Sequence, residues 1–109
     1  MNKKQKYKKR MEIYKKYHIP NCANYIRRTK NTVVIHTSNN LPHEIEKLKL
    51  CYELQKEKKW FITEAQRNNS LIIVDVVCLD DGEEYEIVDT SGDIERYKKE
   101  GVNIREVKK

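Results

Sequence analysis

Asp75 and Glu86 are carboxylates set in stretches that otherwise read as β-strand, and two carboxylates so placed can share a divalent cation. Residues 71–79, LIIVDVVCL, are apolar except for Asp75. A buried carboxylate is costly unless it is paired, protonated or metal-bound. Asp80-Asp81-Gly82-Glu83 follows as a turn, since Asp-Gly between two strand-like runs is a strong hairpin signal. Residues 84–89, EYEIVD, return as the partner strand. With Asp81-Gly82 as a two-residue loop, Asp80 opposes Glu83, Val77 opposes Glu86 and Asp75 opposes Val88. Asp75 and Glu86 then become diagonal neighbours on one face, roughly 7–8 Å apart at the backbone. A slip of one residue would put them on opposite faces. The bland alternative for Asp75 is a solvated edge position with no role.

A third acid lies on a helix expected over 42–58, with Pro42 in its tolerated first turn. At 100° per residue Leu41, Ile45, Leu48, Cys51 and Tyr52 form an apolar stripe. Glu44 falls inside that stripe, whereas Glu46, Lys49, Glu53 and Lys56 fall outside it. Glu44 is therefore expected to face the sheet; a first-turn acid favoured by the helix dipole is the alternative that needs no function.

The elements that would position these acids follow from period and punctuation. Strands are expected over 32–37 (TVVIHT), 60–65 (WFITEA, with Glu64 near its end), 71–79, 84–89 and 102–107 (VNIREV). Residues 89–92 read as a loop. A helix over 93–100 would be capped by Asp93 and stopped by Gly101. At the N-terminus a helix over 4–17 carries a thin stripe of Met11, Ile13, Tyr14 and Tyr17. It ends before Pro20, which disfavours helical geometry in the residue ahead of it. A short helical turn over 22–28 follows. The fold class is thus α/β, a mixed sheet flanked by helices, in one domain of 109 residues. It divides into a basic N-terminal helical segment, 1–30, and an α/β body, 31–109.

Charge separates the two parts. Residues 1–30 carry Lys3, Lys4, Lys6, Lys8, Lys9, Arg10, Lys15, Lys16, Arg27, Arg28 and Lys30 against Glu12 alone, a net +10, and the remainder carries −4. A basic segment on a mildly acidic body suggests an anionic partner, above all nucleic acid, and these eleven side chains are the expected contacts. Tyr7, Tyr14, Tyr17 and Tyr25 are interleaved with them, which suits base stacking, although Tyr14 and Tyr17 also suit core anchoring. A solvated basic helix is the competing reading. No apolar run approaches the roughly 20 residues of a membrane span, and none follows the basic N-terminus as in a secretory signal. A cytoplasmic protein without membrane contact is expected. Cys22, Cys51 and Cys78 lack metal-ligand spacing with one another and with the three histidines, so free, partly buried thiols are expected.

Helix, three strands, helix, strand is the core order of the restriction-endonuclease-like, PD-(D/E)xK nucleases. HEIEKLKLCYELQKEKKWFITEA resembles that family's first core helix and next strand, and IIVDVVCLDDGEEYEIV resembles its catalytic hairpin. The likeness spans residues 41–107 and is greatest to small archaeal and viral members related to Holliday-junction resolvases. It implies a restriction-endonuclease-like core, with Asp75 as the motif Asp, Glu86 as the motif Glu and Glu44 as the acid of the first helix. These three, with the carbonyl of Ile87, would bind Mg²⁺ or Mn²⁺. The motif lysine is missing: Glu86-Ile87-Val88 stands for E-x-K. In some divergent members the lysine moves to another element, and Lys47, one turn from Glu44, is the nearest candidate.

Three functions follow as expectations: a metal-dependent DNA nuclease, a nucleic-acid-binding protein that keeps the fold without cutting, and a basic structural or assembly protein. A homodimer is left open.

Overall fold

The computed structural model describes residues 1–88 and 94–107. In chain order the elements are α1 (Lys3–Tyr14), β1 (Tyr17–His18), α2 (Ile26–Thr29), α3 (Leu41–Lys56), β2 (Phe61–Arg67), β3 (Ile73–Cys78), β4 (Glu84–Val88), α4 (Ile94–Lys99) and β5 (Asn103–Glu106). The strands form one sheet in the order β1-β2-β3-β4-β5. β1 to β4 are antiparallel neighbours, and β5 joins β4 in parallel after the α4 crossover. Among the described residues no helix is long and apolar enough to cross a membrane.

Both faces of the sheet are covered. On one, Ile62, Ala65, Val74, Val77 and Leu79 pack with Tyr14 of α1, with Ile19 and with Val102. On the other, Phe61, Val76 and Cys78 pack under Leu50, Cys51 and Leu54 of α3. Cys51 and Cys78 are buried free thiols and Cys22 is exposed.

The basic segment is fastened by specific contacts. Asn2 closes a reciprocal capping box with Gln5 at the start of α1. Arg10 lies over the Trp60 ring and donates two hydrogen bonds of 2.9 Å to Asp80, while Lys30 covers the same ring. The buried Tyr14 hydroxyl meets Thr29 Oγ1 at 2.9 Å and ties α1 to α2. Tyr17 donates to Glu84, which Arg67 grips through two guanidinium nitrogens.

Four expectations need correction. Residues 32–37 form no strand. The segment runs beside β2 with one backbone bond at its start, Asn31 N to Phe61 O, and otherwise bonds it through side chains: Val34 N donates to Thr63 Oγ1, that hydroxyl donates to Thr32 O, and Phe61 N donates to Asn31 Oδ1. β1 takes the far end of the same β2 edge, at the Tyr17–Arg67 and His18–Gln66 pairs. The first helix therefore stops at Tyr14, earlier than Pro20 requires, because Tyr17 and His18 are drawn into the sheet.

The central hairpin is shifted by two residues from the expected register. Val76 pairs with Tyr85 and Val77 with Glu84. Cys78 N donates to Glu83 O and Gly82 N to Cys78 O, so the loop spans 79–82. Gly82 supplies φ +78° there, the left-handed conformation that glycine adopts without steric cost. An even shift keeps every side chain on its expected face.

The fourth correction concerns α3. Glu44 is buried as expected, but the packed arc is centred on Glu44, Lys47, Leu50, Cys51 and Leu54. Leu41, Ile45, Leu48 and Tyr52 lie on the solvent side. The apolar arc is wider than the face that packs, and composition alone does not say which edge turns inward. The expected loop over 89–92 and the Asp93 cap lie outside the described residues.

Candidate active site

One further step along the observed register sets Asp75 directly opposite Glu86. The two carboxylates take the place of ladder bonds there. Asp75 Oδ2 accepts from Ile87 N at 2.8 Å, and Glu86 Oε1 accepts from Asp75 N at 3.2 Å. On the other flank Glu64 of β2 stands across from Asp75, between the Thr63–Val76 and Ala65–Val74 pairs.

The sheet changes phase at this row. Ile62 and Ala65, three apart, lie in one core cluster, as do Val77 and Val74. Strict alternation would put residues three apart on opposite faces. Glu64 absorbs the slip with φ +51°, inside a strand and without being glycine. Backbone in that region costs on the order of 1–3 kcal/mol and persists where surrounding contacts hold it. Its effect is to turn Glu64 toward α3, where Lys47 lies.

From α3 come His43, Glu44 and Lys47. His43 spans two acids, with Nδ1 2.8 Å from Glu44 Oε1 and Nε2 3.2 Å from Asp75 Oδ2. The Lys47 side chain is wholly buried. Its ammonium lies 2.7 Å from Glu44 Oε2, 2.7 Å from Val34 O and 3.3 Å from Glu64 Oε1. Three hydrogens meet three acceptors, so no donor is left over. His36 Nε2 is 3.6 Å from Glu64 Oε1, and its amide donates to Glu44 Oε2.

The same contacts set the charge states. Burial would raise the Glu44 carboxyl, but hydrogen bonds from Lys47, His43, the His36 amide and Asn39 outweigh it and hold it at about 2. Burial, the Asp75 charge and the hydrogen bond with Asp75 push Glu86 up to about 9, against the opposing bond with Tyr97 of α4. Burial and the Asp75 charge also raise Glu64, with Lys47 pulling the other way.

Glu86 therefore keeps a proton in the folded chain that it gives up near 4.5 when unfolded. Between those values the native state binds the extra proton, so this group's contribution to stability falls as pH rises. Glu86→Gln should melt higher than the wild type by about 5 °C or more at pH 8.5 and flatten the decline between pH 5 and 9. Melts across that range check it; a variant that melts no higher at pH 8.5 contradicts the raised carboxyl.

The expected set is thus brought together in part. Asp75, Glu86 and the Ile87 amide are in direct contact, while Glu44 is separated from Asp75 by the His43 ring. The donors have the chemistry of a Mg²⁺ or Mn²⁺ site, which takes hard oxygen ligands. Among the described residues no three His, Cys, Asp or Glu side chains are arranged to hold an ion as they stand. The fit to a divalent cation accordingly rests on the buried Asp75 and the half-buried Glu86, a pair in which Glu86 holds a proton that a cation would displace.

Glu64, His43 and Tyr97 were not among the expected site residues. Glu64 interrupts an apolar strand just as Asp75 does, and His43 adjoins Glu44 in the first helical turn; both signals were readable. Nothing in the sequence singles out Tyr97. Of the eleven basic side chains, Arg10 and Lys30 are engaged on Trp60, and the other nine are exposed. Arg27 and Arg28 make no ion pair or side-chain hydrogen bond among the described residues. They flank an open cleft with Met11, Tyr14, Tyr25 and Ile26. Compared with known proteins, the chain matches no family model, no curated protein and no solved structure.

Proposed function

We propose that the chain is a metal-dependent nuclease of the restriction-endonuclease-like, PD-(D/E)xK type, acting on DNA. The observation that carries this reading is the direct opposition of Asp75 and Glu86 across β3 and β4, where partial burial and the nearby Asp75 charge push Glu86 up to about 9. Perturbed carboxylate pairs of this kind concentrate at functional sites. The order α3-β2-β3-β4-α4-β5 is the order the family resemblance implies.

Asp75, Glu86 and the Ile87 carbonyl would hold Mg²⁺ or Mn²⁺, with Glu44 on the far side of His43. A bound cation would lower the pKa of a water and neutralise charge on the scissile phosphate. His43 fixes the Asp75 and Glu44 carboxylates relative to each other. Lys47 fixes Glu44 relative to Glu64. Val88 occupies the position of the family's lysine and can move no proton.

A second reading, a DNA-binding protein that does not cut, is favoured by the saturated Lys47 ammonium. With all three hydrogens bonded inside the protein, it has none to offer a water or phosphate.

The test is incubation of the protein with labelled linear, branched and single-stranded DNA, with Mg²⁺ or Mn²⁺ and with EDTA. Metal-dependent cleavage supports the first reading; binding without cleavage in every metal supports the second. Deleting the basic segment would remove Tyr14 from the core, so its role in binding is better tested by substitution. Arg27→Ala with Arg28→Ala should lower the dependence of log K on log salt by about 1.8 on duplex DNA, roughly 0.9 for each phosphate no longer neutralised. An unchanged slope by fluorescence anisotropy removes these arginines from the interface.

A further inference from the structure

The outer face of α3 inverts the usual pattern of a surface helix. Glu44, Glu46 and Lys47 are buried, while Leu41, Ile45, Leu48 and Tyr52 are 70%, 43%, 55% and 67% exposed. These four stand at spacings of four, three and four residues, which is the seam of a helix that packs against another helix. Together they expose on the order of 500 Å² of largely apolar surface, at the upper end for a monomer's biggest patch.

We propose that this stripe is the interface between two copies of the chain, packed through antiparallel α3 helices on a two-fold axis. Three observations favour a second copy over other occupants. The spacing reads the same in both directions, so one axis pairs Leu41 with the partner's Tyr52 and Ile45 with the partner's Leu48 and leaves no stripe residue unmatched. An isologous contact needs that self-complementarity. Two copies would bury about 1,000 Å² from the stripe alone, the size at which specific interfaces begin. The flank carries both signs, with Lys49, Glu53 and Lys56 beside the stripe and Arg105 held on Glu53. A nucleic acid would require one sign. The stripe lies on the face of α3 away from Lys47 and the acid row, so the dimer is independent of what that row does.

Light scattering on the full chain tests this. The wild type should run at twice the 13.1 kDa chain mass at about 100 μM. Leu48→Glu, and separately Ile45→Glu, should return it to the chain mass with the far-ultraviolet dichroism of the wild type, because neither side chain serves the core. In a Cys22→Ser background, Leu41→Cys with Tyr52→Cys should cross-link into a covalent dimer on oxidation. A wild type that stays monomeric at that concentration overturns the proposal. So does a dimer that survives both glutamate substitutions, or one in which the cysteine pair fails to link.

Discussion

Asp75→Asn should abolish both metal-induced stabilisation and DNA cleavage while leaving DNA affinity within about threefold. The substitution is nearly isosteric. The amide oxygen still accepts from Ile87 N, so the bond that orients β4 against β3 at 2.8 Å survives. The negative charge is lost, and with it the attraction for a divalent cation. For the wild type, Mg²⁺ at ten times its Kd adds about 1.4 kcal/mol by mass action, a rise of roughly 6–11 °C for a domain of this size. DNA affinity should hold because the exposed lysines of α1 and the Arg27-Arg28 pair lie on other elements. The metal-free variant should itself melt above the wild type near neutral pH, since removing the Asp75 charge relieves the pressure that raises Glu86 and Glu64. Thermal melts of both proteins with and without Mg²⁺ or Mn²⁺, beside the cleavage assay, measure this. An identical metal response in the two proteins, or none in either, takes Asp75 out of any metal site and leaves the non-cutting reading.

How far the sequence reveals such a site depends on which physical signal each residue leaves. Asp75 was legible because a carboxylate inside an apolar strand has to be explained. The Asp-Gly turn placed Glu86 on the correct face, but not in the correct register, because the loop takes four residues where the dipeptide signal suggests two. Glu44 was legible from helical spacing. The spacing could not show that the helix lies with its Leu41–Tyr52 edge outward, since both edges of the arc are apolar. Lys47, off the stripe centre by its angle, is nonetheless fully buried, because the carboxylates around it provide the pairing a buried cation needs. The strand expected over 32–37 failed because its contacts along Phe61–Thr63 run through the Thr63 hydroxyl and the Asn31 side chain in place of a backbone ladder, while β1, contributed by a segment that reads as the end of a helix, takes the other end of that edge at Gln66 and Arg67. The slip of phase at Glu64 and Asp75 is a property of two paired strands together, and no single stretch of sequence contains it.

Lys47→Met is the substitution expected to cost the most stability, and it separates a structural lysine from a catalytic one. Methionine fills nearly the same volume without strain, so the change isolates the charge. Glu44 and Glu64 lose the ammonium that lies 2.7 Å and 3.3 Å from them, and both carboxylates are buried. Breaking a buried ion pair by removing one partner typically costs about 3–5 kcal/mol, because the remaining charge is left uncompensated. For a domain of this size that lowers the melting temperature by on the order of 15 °C or more. Glu44 should also titrate higher than about 2, since the Lys47 hydrogen bond leads the influences that lower it. Neutralising the orphaned partners restores the balance, so Glu44→Gln with Glu64→Gln in the Lys47→Met background should recover a large share of the loss. That recovery is the signature of electrostatic burial rather than damaged packing. A lysine reserved for catalysis would behave differently: its replacement would leave the melt within about 2 °C of the wild type and remove cleavage alone. Melting curves of the single and triple variants, read beside metal-dependent cleavage, decide between a cation that holds the acid row together and one that serves the reaction.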